Sequence, residues 1–114
     1  MIEVEKEENI VPRALLIGEP GNDLQELKGL VQTLGFDIIQ RLTLSRMEVQ
    51  PAYGMGKGKA QEICDLAHQI EADCIIFDFN LDPRKQRNWE ELTNLSCFDR
   101  QEVIIRIFAD RAQT

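Results

Sequence analysis

The run Cys74-Ile75-Ile76-Phe77 decides the fold class of this chain, because all four residues are apolar. A strand with one solvent-exposed face alternates apolar and polar residues, whereas a strand covered by helices on both faces is apolar throughout. The run Ala14-Leu15-Leu16-Ile17, which stops at Gly18, has the same character. We therefore predict two buried strands here, and two further strands at residues 36–43 and 96–98.

The segments between these strands carry apolar residues at the three- and four-residue spacing of a helix. The three stripes are Leu24, Leu27, Leu30, Val31 and Leu34; Ala60, Ile63, Cys64, Ala67 and Ile70; and Val103, Ile104, Ile107 and Phe108. Strands that alternate with helices form parallel sheets with right-handed crossovers. The pattern predicts a single α/β domain over residues 13–114, with a small, mostly parallel sheet of about four strands and flanking helices. The acidic residues 1–12 are expected to form a flexible tail.

Residues suited to helix ends stand beside the first and third helices. Asn22 is predicted to cap the first helix, and Gly35 to end it in the left-handed conformation that glycine adopts readily. Asp82 followed by Pro83 is typical of a helix start. The helix that they open carries Trp89, which we expect to pack in or beside the core.

The last helix is apolar over an unusually wide arc. Asp99 with Glu102 three residues later resembles a capping box that opens it. The stripe from Val103 to Phe108 is expected to face the sheet, while Ile105 lies off that stripe. We therefore predict that Ile105 belongs to a docking surface, which another protein or a second copy of the chain would cover.

The composition is that of a globular protein and excludes several classes. Of 114 residues, 43 % are hydrophobic and 29 % charged, and the formal net charge is −7. That charge argues against a protein that coats nucleic acid, although it permits a local basic patch. No apolar run is long enough to cross a bilayer, so no membrane partner is expected. Cys64, Cys74 and Cys97 lack metal or redox spacing, which indicates structural thiols in a reducing cytoplasm.

The stretch Tyr53-Gly54-Met55-Gly56-Lys57-Gly58-Lys59-Ala60 looks like a phosphate-binding loop, but its spacing excludes one. A Walker A loop has a glycine six residues before its lysine and a hydroxyl residue directly after it. Tyr53 and Pro51 stand where that glycine should be, and Ala60 and Gly58 stand where the hydroxyl should be. The chain is therefore not expected to bind GTP tightly or to hydrolyse it.

A ligand crevice is a second possibility at the carboxyl ends of the strands. In doubly wound sheets, ligands bind there at the point where the strand order reverses. If the first and third strands are neighbours, the crevice would be lined by Gly18, Glu19, Asn22, Asp78 and Asn80. A phospho-accepting receiver domain is disfavoured, because only one carboxylate follows the first strand and the chain lacks room for a fifth strand. No nucleophile with an adjacent base and no metal-spaced cluster indicates catalysis.

Three stretches together resemble the N-terminal domain of the HflX-type ribosome-associated GTPases. They are Y-G-M-G-K-G-K at residues 53–59, I-F-D-F-N-L-D-P-R-K-Q-R-N-W-E at 76–90, and D-R at 99–100 with I-F-A-D-R-A-Q-T at 107–114. They stand in the family's order and cover most of the chain. Two departures are the inserted-looking Met55 and the D-R-Q-E sequence at 99–102, where the family has D-R-T. In the family, a helical region and a GTPase domain follow the point where this chain ends.

The resemblance implies a non-catalytic accessory module that helps an HflX-like GTP-binding protein engage RNA of the large ribosomal subunit. The residues that would contact RNA are Tyr53, Gly54, Gly56, Lys57, Gly58, Lys59, Arg84, Lys85 and Arg87. Cations on the first turn of a helix oppose its dipole, which favours an anionic partner. GTP and Mg²⁺ would belong to the family's GTPase domain, so no cofactor is expected on this chain.

Several of these residues also have a purely structural interpretation. The lysines can be solvated residues of a glycine-rich turn, and Arg87 can pair with Glu90 or Glu91 on its own helix. His68 is expected at the surface. As a function, a regulatory docking or dimerisation module is the alternative, and a degenerate nucleotide, small-ligand or receiver-like domain is disfavoured.

Overall fold

Strands and helices alternate through residues 10–48 and 50–111, which are the residues that this computed structural model describes. In chain order they are β1 (Arg13–Gly18), α1 (Gln25–Leu34), β2 (Asp37–Thr43), α2 (Lys57–Gln69), β3 (Cys74–Phe77), α3 (Pro83–Thr93), β4 (Ser96–Asp99) and α4 (Arg100–Arg111). The strands form one parallel sheet in the order β2-β1-β3-β4. The predicted α/β class is confirmed. Most of the predicted acidic tail, and the last three residues of the predicted domain, lie outside the described residues.

Helices cover both faces of the two central strands. Successive side chains of a strand point to opposite faces, so Leu15 and Ile75 pack in one cluster with residues of α2 and α3. Leu16 and Ile76 pack in the other cluster with residues of α1 and α4. All four side chains are fully buried. The two apolar runs that predicted β1 and β3 therefore lie where a doubly covered strand has to lie.

Most of the predicted helix ends are present. Gly35 ends α1 with a φ of 94°, and Pro83 is the first residue of α3. Asp82 caps α3 because its Oδ1 accepts a hydrogen bond of 2.9 Å from the backbone N–H of Lys85. Asp99 caps α4 in the same way, since its Oδ1 accepts from the Glu102 N–H at 3.1 Å. The carboxylate of Glu102 bonds Arg106.

The prediction that Asn22 caps α1 is wrong. The helix begins later, and its N-cap position is Leu24, which has a φ of 65°. Asn22 Oδ1 accepts a hydrogen bond of 2.8 Å from the Leu24 N–H, while its Nδ2 donates to Asp78 Oδ2. The tertiary contact with Asp78 holds Asn22 ahead of the helix and places Leu24 over the core.

The prediction that Phe108 faces the sheet is also wrong. Val103 is fully buried and Ile107 packs against the same cluster, but Phe108 is 67 % exposed. A helix of twelve residues is about 18 Å long, whereas a strand of four residues is about 13 Å long. Helix α4 is therefore longer than β4, the strand that directly precedes it. Ile105 is 54 % exposed, in agreement with its predicted position off the stripe.

Candidate functional site

The glycine loop, which we define as residues 50–56, is held to α3 by two hydrogen bonds and to the core by its apolar side chains. Trp89 Nε1 donates a hydrogen bond of 3.0 Å to the carbonyl of Tyr53. Asn88 Nδ2 donates to the carbonyl of Ala52 at 2.9 Å. Met55 is 3 % exposed and belongs to the core. Two stretches that are far apart in sequence, residues 53–59 and 76–90, therefore form one continuous surface.

Tyr53 and Gly54 have structural reasons for their identity. The Tyr53 ring packs edge-on against Trp89, with ring centroids 5.4 Å apart, so it contributes to packing rather than projecting freely. Gly54 has a φ of +78°, a conformation that side chains disfavour. A Cβ built at Gly54 would lie 3.8 Å from the Lys85 side chain and 4.0 Å from Phe79. The loop therefore passes close to α3 at this glycine.

Helix α2 brings two of the predicted cations to the end of this loop. Gly56 occupies the N-cap position of α2, and Lys57, Gly58 and Lys59 form its first turn. Lys57 and Gly58 are exposed. Lys59 Nζ lies 3.6 Å from Glu62 Oε1, whereas Lys57 makes no ion pair within the described residues. Lys57 is thus the more available of the two charges.

Helix α3 supplies the other three predicted cations. Lys85 Nζ lies 3.0 Å from Asp82 Oδ2, and hydrogen bonds from Lys85 lower the pKa of that carboxyl. Arg84 and Arg87 are exposed. In the part of the chain that the structure describes, neither arginine makes an ion pair, and so Arg87 does not pair with Glu90 or Glu91. Both α2 and α3 start at the carboxyl edge of the sheet.

The predicted crevice between β1 and β3 is largely filled by the chain itself. The Leu24 side chain lies over Gly18, where an added Cβ would come within 2.8 Å of it. Asn22 hydrogen-bonds Asp78, and Arg100 Nη1 lies 3.8 Å from Asp78 Oδ1. That buried oxygen accepts no hydrogen bond from any described residue. Glu19 is exposed beside this cluster, while Asn80 faces a different space.

Asn80 lines a groove of about 490 Å³ next to the glycine loop. The lining residues are Met47, Glu48, Gln50, Pro51, Gly54, Phe79, Asn80 and Lys85. Gly54 and Lys85 were predicted as RNA contacts and Asn80 as a crevice residue, whereas the others were not singled out. The apolar residues Met47 and Pro51, which stand in an otherwise polar irregular segment, are the signal that could have indicated the groove.

The cysteines are unsuited to catalysis. Cys64, Cys74 and Cys97 are free and buried. Burial raises the pKa of Cys74 and of Cys97 to about 12, so both remain neutral thiols at physiological pH. Within the described ranges there is no group of side chains suited to a metal ion. Those ranges also contain no helix with the length and apolarity needed to cross a membrane.

The sequence matches the family described as GTP-binding GTPase N-terminal over residues 21–109. The chain belongs to this family. It is 38 % identical to the GTPase HflX of Akkermansia muciniphila over an alignment of 123 residues, which covers all of this chain and 28 % of the relative. It is 40 % identical to the GTPase HflX of Escherichia coli K12 over 92 residues, which cover 81 % of this chain and 22 % of the relative. The predicted resemblance to the HflX N-terminal domain is therefore confirmed.

Two solved structures support the fold of this N-terminal domain. The crystal structure of SsGBP with GDP matches it with a TM-score of 0.72 and 21 % identity, over 91 % of this chain and 31 % of that one. A GTP-binding protein from Sulfolobus solfataricus in complex with GDP matches with a TM-score of 0.66 and 18 % identity, over 85 % of this chain and 30 % of that one. In the sequence comparisons, the chain spans about a quarter of the length of the curated relatives that it matches.

Proposed function

We propose that this N-terminal domain is a non-catalytic, RNA-binding module that helps an HflX-type GTPase associate with the large ribosomal subunit in the cytoplasm. The observation that carries the proposal is the cationic edge, which we define as Lys57, Arg84 and Arg87. These three exposed cations make no ion pairs within the described residues. Lys57 and Arg84 stand in the first turns of two helices that the glycine loop joins, and Arg87 follows in the second turn of α3.

The physical chemistry of this edge favours phosphate. The N-terminus of a helix presents free N–H groups and a partial positive charge, which attract anions. Cations in the same place repel that partial charge, and a bound phosphate relieves the repulsion. The net charge of −7 on the whole chain opposes RNA, so binding by this domain alone should be weak and confined to the edge.

GTP hydrolysis lies outside this proposal. The spacing of residues 53–60 does not match a Walker A loop, and the three cysteines are buried. We therefore assign hydrolysis, together with GTP and Mg²⁺, to a separate GTPase domain of the longer protein.

The test is co-sedimentation with large ribosomal subunits at several salt concentrations. A Lys57→Gln/Arg84→Gln/Arg87→Gln variant should bind more weakly. Its plot of log affinity against log salt should be shallower by roughly 0.9 for each phosphate that the variant no longer neutralises. The matched control is Lys28→Gln/Arg41→Gln/Arg111→Gln, which makes the same change in net charge away from the edge. Equal effects of the two variants would show nonspecific attraction and refute the proposal.

A second candidate function, protein docking, rests on the exposed apolar residues of α4. Ile105 is 54 % and Phe108 67 % exposed, and both lie on a helix whose buried side is filled by Val103. Because the relatives are about four times longer than this chain, the occupant that we favour is another part of the full-length protein, namely its GTPase domain. A second copy of this chain is the alternative.

A further inference from the structure

The groove beside the glycine loop has the size and the lining of a ligand site. Its volume of about 490 Å³ falls within the range of pockets for small molecules. Part of the lining comes from residues 47–48 and 50–51, and part comes from the segment that joins β3 to α3 and from the first turn of α3. Gly54 also lines the groove and lies against Lys85 and Phe79, where a larger residue would narrow the space.

Phe79 provides a flat apolar surface in this groove. Its ring is partly buried and packs edge-on against Phe77, with centroids 5.4 Å apart and an angle of 65° between the ring planes. Phe77 is fully buried, so the Phe79 ring rests on the core. Aromatic rings held in this way stack against nucleobases of any sequence, because every base has a π face.

The polar residues of the groove suit the rest of a nucleotide. Lys85, which also pairs with Asp82, provides a cation at one side, next to the exposed Arg84. Asn80 and Gln50 carry amide groups, which can both donate to and accept from the edge of a base. The one carboxylate of the lining, Glu48, lies 3.5 Å from Arg46, which offsets its charge.

We propose that this groove binds a single unstacked nucleotide of RNA, with its base against Phe79 and its phosphate beside Lys85. The inference rests on the proposed RNA-binding function and adds the form of RNA that is recognised. A base in an A-form duplex is stacked on both sides and cannot enter a groove, whereas the bases of single strands, loops and bulges can. The module is therefore selective for unpaired nucleotides, and the cationic edge holds the flanking phosphates.

The test uses this 114-residue chain and two fluorescent RNAs of equal length, one single-stranded and one a blunt duplex, with binding followed by anisotropy. The wild type should bind the single strand more tightly. Phe79→Leu keeps an apolar side chain but removes the ring, and should lower affinity for the single strand by roughly tenfold. The affinity for the duplex, and the salt dependence of binding to either RNA, should not change. Phe79→Tyr should bind as the wild type does.

The matched control is Phe108→Leu, which removes an exposed ring on the opposite side of the sheet and should change neither affinity. A single-stranded RNA carrying 4-thiouridine should also crosslink to residues of the groove in the unmodified chain. That measurement keeps the inference testable if Phe79→Leu does not fold.

Several outcomes would overturn this assignment, and they differ from failure of the proposed function. Equal affinity of Phe79→Leu and the wild type for the single strand, or crosslinks outside the groove, would remove the nucleotide from the groove while leaving RNA binding intact. A mononucleotide that binds as tightly as the oligonucleotide would indicate a site for free nucleotides instead. If the wild type binds neither RNA at low salt, the proposed function fails and the inference fails with it.

Discussion

Trp89 Nε1 and the carbonyl oxygen of Tyr53 lie 3.0 Å apart, and this hydrogen bond joins α3 to the glycine loop. Trp89 is fully buried, with its ring 4.8 Å from Phe77 and 5.4 Å from Tyr53 by ring centroids. The only tryptophan of the chain therefore supports both the core and the loop that carries Gly54. The loop has a defined position because a core residue holds it there.

Replacing Trp89 with Phe should loosen this loop. The change removes a buried hydrogen-bond donor and part of a large ring, and we expect a loss of about 2–4 kcal/mol in the free energy of unfolding. The Gly54 N–H donates a hydrogen bond of 3.0 Å to the Gln50 carbonyl, and its hydrogen exchange should accelerate by more than the global destabilisation explains. The control is Phe98→Leu on the opposite face of the sheet, which should lower stability without this local effect.

The buried thiols should make the fold sensitive to alkaline pH. Burial raises the pKa of Cys74 and of Cys97 from 9.0 to about 12. Between those values the unfolded chain has released thiol protons that the folded chain retains, so stability should fall as the pH rises from about 9 to about 12. Each thiol contributes a slope of up to about 1.4 kcal/mol per pH unit.

A Cys74→Ala/Cys97→Ala variant checks the origin of that slope. Its stability at neutral pH should be lower, because two buried sulfur atoms are removed. Its decline between about pH 9 and about pH 11, measured by urea unfolding, should be shallower than that of the wild type. Parallel curves for the two proteins would assign the decline to other groups.

Arg100 should contribute to stability through the buried carboxylate of Asp78. The Asp78 side chain is 5 % exposed, and Arg100, which also pairs with Glu26, is its only ion-pair partner among the described residues. Arg100→Met should cost about 1–2 kcal/mol in the free energy of unfolding, because a buried charge loses its counter-charge.

A double-mutant cycle isolates this interaction. In the Arg100→Met background, Asp78→Asn should cost less than it does in the wild type, since the carboxylate that has no counter-charge is then replaced by a neutral group. Additive effects in urea unfolding would mean that the two side chains do not interact energetically.

The exposed apolar residues of α4 should matter for association and not for folding. Ile105→Glu should change the free energy of unfolding by less than about 0.5 kcal/mol, because the side chain is 54 % exposed. It should weaken binding to the GTPase domain supplied as a separate chain, measured by calorimetry. Gln101→Glu introduces the same charge at another exposed position of α4 and serves as the control. A large loss of stability in Ile105→Glu would contradict the docking interpretation.

The sequence predicted the fold well because the decisive signals are local. The apolar run Cys74–Phe77 is β3 itself, and Gly35 and Asp82 mark helix ends through interactions with their immediate neighbours. The predicted capping role of Asn22 was wrong because its side chain hydrogen-bonds Asp78, which lies 56 residues away in the sequence. The prediction that Phe108 faces the sheet was wrong because the spacing of apolar residues along a helix does not show where the neighbouring strand ends.

The candidate site was less predictable because it is formed by distant segments. Lys57 and Arg84 were identified through a family resemblance, and their roles remain predictions. The groove depends on how residues 47–48 and 50–51 approach Phe79 and Lys85, and no local pattern specifies that approach. The apolar character of Met55 and Tyr53 was visible in the sequence, but only the structure shows that they anchor the loop.

Strand β2 is the longest strand, and within the described residues it pairs only with β1. Such an open edge can template fibril growth. Here the pairing passes from Ala14–Ile38 to Leu15–Gln40, so Ile39 is skipped and forms a bulge. A bulge bends and twists the strand, and Asp37 and Arg41 place charges on either side of it. This irregularity makes the β2 edge less suited to pairing with a strand of another molecule.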